Sequence, residues 1–265
     1  MLGLNKVRWI LFVFLIAQYT SFAQNYLNYY FKSNDIDGAI VIFNKNTNQW
    51  IFSNDSEPFL NTPFGSHFHL LQALEGLETD VFNTSAQYFE PWDGVKRSFF
   101  GVPKPEWNKE TNLKDALKYK NDWYFNLLAY RLPEEIYQEK IKNSSLIKET
   151  LNNNFEYFWN YGVLTNPNTM INFLKDLYEN QLPYKEINQQ FVFNELMINN
   201  QLAIHESITH YQGKKITWMI GVYLKHSKPV YFSLRTSQSL ESPELPNFNE
   251  RKNLVLSQIF ESLNL

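Results

Sequence analysis

The stretch TPFGSHFHLLQALEGLETD, residues 62–80, puts a serine and two histidines directly before leucines at helical spacing. Phe68, Leu71, Leu74 and Leu77 recur three apart, behind the Pro63, Gly65 and Ser66 that open a helix. Ser66 therefore stands at a helix start, where unsatisfied N–H groups and partial positive charge gather. Two readings fit that position. As an N-cap or first-turn residue, Ser66 has only a structural part, and His67 and His69 are partly exposed helix residues. As a nucleophile, Ser66 has His69 one turn on, where a neutral imidazole can take its proton. Histidines two apart do not share a helix face and no H-E-x-x-H run occurs, so no metal is expected.

Upstream, NYLNYYFKSNDI reads as a short helix, and GAIVIFNKNTNQWIFSND as an antiparallel hairpin, its two apolar runs flanking NKNTN. Downstream, residues 80–112 form a long irregular connection. NLKDALKYKNDWYFNLLAYRL then reads as a helix interrupted near Lys120 to Asp122, and TNPNTMINFLKDLYENQLPY as a helix opened by Asn or Thr with Pro167 early. Late in the chain, QLAIHESITHYQGKKITWMIGVYLKHSKPVYFSLRT gives three short strands joined by turns. RKNLVLSQIFESL closes the chain as an amphipathic helix, with Leu254, Ile259 and Phe260 among its apolar positions. The order predicts an α+β fold: an antiparallel sheet assembled from both ends of the chain, flanked by terminal helices, beside a mostly helical second lobe. A cleft between the lobes follows.

The chain has 265 residues, 44% of them hydrophobic, enough for one substantial core. Lys6 and Arg8 precede a nine-residue apolar run from Trp9 to Ala17 and then Ser21-Phe22-Ala23, a small-x-small cleavage site. A membrane span needs about 20 apolar residues, so residues 1–23 are expected to be a signal peptide and 24–265 a single exported domain, periplasmic or secreted. Removing Lys6 and Arg8 leaves 22 basic against 27 acidic residues, net −5, which excludes nucleic acid as a natural partner. With no cysteine, the exported chain holds together through its core, and thiolate chemistry is excluded.

PFGSHFHLLQALEGLETDVF resembles the nucleophile segment of the class D (oxacillinase-type) β-lactamases and related penicillin-binding transpeptidase domains, where Ser-x-x-Lys leads into a leucine-rich helix. WDGVKR with WNKETNLKDALKYKNDWYFNLLA, then FEYFWNYGVLTNPNTMINFLKDLYENQLPY, and last AIHESITHYQGKKITWMIGVYLKHSKPVYFSL are similar to that family's later blocks, in order, over about residues 36–262. The resemblance implies a β-lactamase/transpeptidase-like fold with an acylated serine and no cofactor.

Its polar positions depart from the family. Ser66 stands at the nucleophile position, but His69 replaces the lysine of Ser-x-x-Lys, which in class D enzymes carries a carboxylate that activates the hydrolytic water. Lys120, Asn121 and Asp122 replace Ser-x-Val, and His205, Glu206 and Ser207 replace Lys-Thr-Gly, adding an acid and bulk that disfavour anionic β-lactams. Trp159 matches the tryptophan that packs over the family's modified lysine, and Arg235 is a candidate carboxylate contact. Packing positions specify the fold and polar ones the reaction. The expected function is a binding or sensor module, or inactive homologue, taking a small-molecule or peptidoglycan-like ligand in the cleft. The alternative is an acyl-serine hydrolase or transferase in which His69, Lys120 or His205 serves Ser66 as base, on a β-lactam, peptide or ester.

Overall fold

The computed structural model describes residues 26–142, 144–150, 162–224 and 228–265. The expected signal peptide and Trp159 lie outside the described residues. A helix over residues 26–33 (α1) leads into β1 (Asp37–Asn44) and β2 (Gln49–Phe52), the predicted hairpin. After two-residue β3 (Thr62–Pro63) and a 3-10 turn over Gly65–His67 comes α2 (Phe68–Glu78). The irregular connection holds a small hairpin of β4 (Ser98–Phe99) and β5 (Val102–Pro103). Helices α3 (Leu113–Tyr119), α4 (Asp122–Arg131) and α5 (Glu134–Lys142) follow, then β6 (Glu149–Thr150), β7 (Val163–Thr165) and α6 (Pro167–Tyr178). Next are α7 (Glu186–Asn194), β8 (Met197–Asn199), β9 (Leu202–Tyr211), β10 (Lys214–Tyr223), β11 (Val230–Ser239) and α8 (Phe248–Ser262).

The main sheet is antiparallel with strand order β2-β1-β11-β10-β9-β8, so the N-terminal hairpin and the three late strands form one surface, as predicted. Alternation along each strand divides its residues between two cores. Ile40, Ile42, Phe232 and Leu234 face α1 and α8, meeting Leu27, Phe31, Val255 and Ile259. Val41, Trp218, Ile220 and Tyr231 face the helical lobe and meet Leu70, Leu71 and Leu74 of α2. The late strands are ten residues each, longer than expected, and α7 with β8 adds elements beyond those predicted.

Local signals placed two helix starts. Asn166 caps α6 by accepting from the Thr169 N–H at 2.9 Å, with Pro167 at the first helical position. Asn112 does the same for α3 through Asp115 N–H at 2.8 Å. The predicted interruption is real: Lys120 ends α3 in the left-handed region at φ 53°, and α4 restarts at Asp122. One helix face differs from expectation. Leu254 is exposed, and the buried stripe of α8 runs through Phe248, Lys252, Val255, Leu256 and Ile259, at spacings of four, three, one and three.

Candidate functional site

Three contacts fix the Ser66 segment against the sheet. Trp218 of β10 donates its indole N–H to the Pro63 carbonyl at 3.1 Å. Gly65, at φ 54°, lies so close to β9 that a Cβ there would strike the Ser207 hydroxyl and stand 2.9 Å from the Ile208 carbonyl oxygen. His67 reaches across to His205 of β9, Nδ1 to Nδ1 at 2.6 Å. Gly65→Ala therefore combines left-handed strain with a steric clash, and is expected to cost about 2 kcal/mol, a melting temperature roughly 4–8 °C lower by calorimetry.

β9 presents a free edge to this segment. β8 pairs only with Leu202 and Ala203, and the Ile204 N–H donates to Leu196 O on that same side at 2.9 Å. Strand alternation then puts the N–H and C=O of Glu206 and Ile208 on the unpaired edge, beside the Ser66 turn. Ser66 itself is buried, in a 3-10 turn that runs into α2. Ser66 is thus a first-turn residue rather than the N-cap itself, which is Phe64 for this turn.

A cavity of about 220 Å³ opens over Ser66. Phe99, Trp107 and Tyr119 form its aromatic wall, and Lys118, Lys120 and Glu206 bring charge to it. Ser207 also lines it, with a buried hydroxyl that has no hydrogen-bond partner among the described residues. Phe100, in the β4–β5 hairpin, stacks on His210 of β9 at 3.7 Å between ring centroids, which holds the hairpin that carries Phe99 against the strand.

The structure sorts the four candidate reacting residues differently from their order in sequence. His69 is buried, its Nε2 is 3.0 Å from Asp122 Oδ1, and its ring stacks on Phe125 at 4.2 Å. His205 is equally committed, to His67. Both His67 and His205 titrate well below the ordinary histidine range because burial disfavours the imidazolium, with neighbouring charge, Lys120 included, pushing the same way. In the His67–His205 bond one ring must carry its proton on Nδ1 and the other on Nε2. Neither His67 nor His69 is partly exposed, as the purely structural reading of the segment expected; β9 and α4 pack over the first turn of α2 and remove both from solvent.

Lys120 is the candidate that shares the Ser66 cavity, with no ion pair among the described residues. Burial lowers its ammonium, Lys104 and Lys252 add to that, and Glu206 opposes it. Arg235 lines a separate cavity of about 440 Å³, where its Nε meets Glu57 Oε1 at 2.7 Å and its Nη1 donates to Thr62 Oγ1 at 2.7 Å and Leu60 O at 3.0 Å. It also lies over the Trp218 ring, 5.2 Å from the centroid. Two residues outside the candidate set matter here: His67, and Lys252 of α8, whose Nζ is 3.0 Å from Glu206 Oε2. The spacing of Lys252 with Val255, Leu256 and Ile259 was the available signal that it joins a buried stripe.

No family model matches the sequence. Over 241 residues the chain is 25% identical to β-lactamase OXA-20 of Pseudomonas aeruginosa, covering 89% of this chain and 86% of that one. It is 23% identical over 169 residues to regulatory protein BlaR1 of Bacillus licheniformis, covering 64% of this chain but only 27% of that protein. The fold superposes on the class D β-lactamase of Sebaldella termitidis with a TM-score of 0.78 at 23% identity, covering 90% of this chain and 95% of that one. On the C-terminal domain of the B. licheniformis BlaR penicillin-receptor the TM-score is 0.73 at 19% identity, with 89% and 94% covered. The chain is a divergent homologue of class D β-lactamases and penicillin-receptor domains. Its antiparallel sheet and helical lobe are those of that fold.

Proposed function

We propose that this class D homologue is a ligand-binding module that has kept the cleft at Ser66 and lost ordinary β-lactam hydrolysis. One observation carries the reading: the histidines at the two family lysine positions both make their bonds elsewhere, His69 to Asp122 and His205 to His67. A Ser66 ester formed in this cleft would have neither the lysine carbamate nor an imidazole beside it to activate water. The ligand is a small molecule or a peptidoglycan-like fragment, held against the β9 edge and the aromatic wall. The leader is removed on export, which the N-terminal mass of the exported protein checks.

Lys120 favours a second reading, slow acyl-serine chemistry. An amine whose charged form is disfavoured by burial can accept the Ser66 proton, while the N–H groups of Ile208 and of Ser66, in the first turn, face developing negative charge. Incubation with benzylpenicillin, a carbapenem and a fluorophosphonate, followed by intact-protein mass, separates the two. The expected result is either no adduct or one that persists for hours and is absent from Ser66→Ala. Rapid turnover of benzylpenicillin by the native protein, lost in Ser66→Ala, would overturn the binding reading. If Lys120 is the base, Lys120→Met slows adduct formation by about 10²–10⁴-fold.

A further inference from the structure

The terminal helix brings a lysine where a hydrocarbon is expected. Lys252 occupies the apolar stripe of α8 and is 1% exposed, while its Nζ reaches Glu206 Oε2 at 3.0 Å. A buried ammonium requires a counter-charge, and among the described residues Glu206 is the carboxylate within ion-pair distance of it. Glu206 differs from Lys252 in one respect that matters: it is 39% exposed and lines the Ser66 cavity. The pair thus runs from the core to the cavity rim, with the cation fixed inside and the anion facing the ligand.

The surroundings are cationic. Lys104, Lys118 and Lys120 line the same cavity with Glu106, and Lys104 Nζ is 3.7 Å from Glu106 Oε1. Four lysines, counting Lys252, therefore face two glutamates, and Glu206 is the acid set against both Lys252 and Lys120. Removing Glu206 would leave the desolvated Lys252 ammonium without its carboxylate, 3.0 Å behind a position that lines the cavity, where a small carboxylate could take the place of the lost one.

We propose that Glu206 is an internal counter-ion filling an anion seat made by Lys252 at the rim of the Ser66 cavity, and that this occupancy selects ligands bringing no carboxylate to that end of the cleft. The seat itself stands on the ion pair and its burial; the selectivity rests on the reading of the Ser66 cleft as the ligand site. A ligand carboxylate arriving there meets Glu206 as a like charge and finds Lys252 already paired.

The experiment is chemical rescue. Glu206→Ala is expected to melt below the native protein in sodium chloride, and sodium acetate at equal ionic strength should restore at least half of that loss in a saturable way. The native protein should show no difference between the salts, and Lys252→Met in the Glu206→Ala background should abolish the acetate response. Equal melting of Glu206→Ala in both salts, or a response that survives Lys252→Met, overturns the seat. Should Glu206→Ala fail to fold, Glu206→Gln with formate as the probe decides the same question. For selectivity, binding of benzylpenicillin is compared with that of its neutral methyl ester. Glu206→Ala should raise the affinity for the acid relative to the ester about tenfold or more. An unchanged ratio, or no binding of either compound to any variant, overturns the selectivity, and the second outcome also counts against the Ser66 reading while acetate still decides the seat.

Discussion

Acidification from pH 6.5 to 5.5 is expected to remove up to about 2 kcal/mol of folding stability, measured by urea unfolding across a pH series. The cause is the His67–His205 pair. Both rings are buried and held neutral, so the folded protein binds neither proton while the unfolded chain binds both below the ordinary histidine value of about 6.5. Because the folded values are lowered, stability is fully present above 6.5 and declines as the pH falls toward them. The groups facing the pair from packed elements, Lys120 after α3 and His69 of α2, raise the cost of an added positive charge. The Trp218 ring stands edge-on to His67 at 6.2 Å and offers no counter-ion. His205→Gln should roughly halve the slope of stability against pH below 6.5; an unchanged slope would show that other groups carry it.

Glu57→Ala is expected to cost about 3–5 kcal/mol, because it leaves the Arg235 guanidinium buried without its carboxylate. Arg235 keeps its bonds to Thr62 and Leu60, which hold the approach to the Ser66 segment, so the loss should appear as lower stability and as a looser cleft. The pair is not a net gain in itself. Burial pushes the Glu57 carboxyl above the usual carboxylate range, and the attraction of Arg235 offsets only part of that. The double variant Glu57→Ala with Arg235→Met is therefore expected to recover most of the single variant's loss. A double variant as unstable as Glu57→Ala alone would show that the hydrogen bonds from Arg235 to Thr62 and Leu60, and not the charge balance, dominate.

Much of the fold was legible because its signals are local or periodic. Leucines three apart gave α2, Asn166 before Pro167 gave the start of α6, and two apolar runs around NKNTN gave the hairpin. The run KEINQQFVFNELMINN, which forms α7 and β8, has weaker periodicity and is shaped by what it packs against. Leu254 shows the limit of a helical wheel drawn from composition: rotating the stripe by one residue exposes a leucine and buries Lys252, because Glu206 on the sheet below supplies the charge that makes the lysine acceptable there.

The sequence by itself determined the class of fold, the placement of Ser66 at a helix start, the break at Lys120 and the unusual set of polar residues that the chain carries around them. Each depends on near neighbours along the chain or on residue identity alone. Only the tertiary structure decided what those polar residues bond to. His69 turns to Asp122, His205 to His67, Arg235 to Glu57 and Lys252 to Glu206, across separations of 53, 138, 178 and 46 residues. The physical reason is common to all four. A buried polar group must find a partner, and which partner is within reach depends on how sheet and helices stack, a fact that no short stretch of sequence contains.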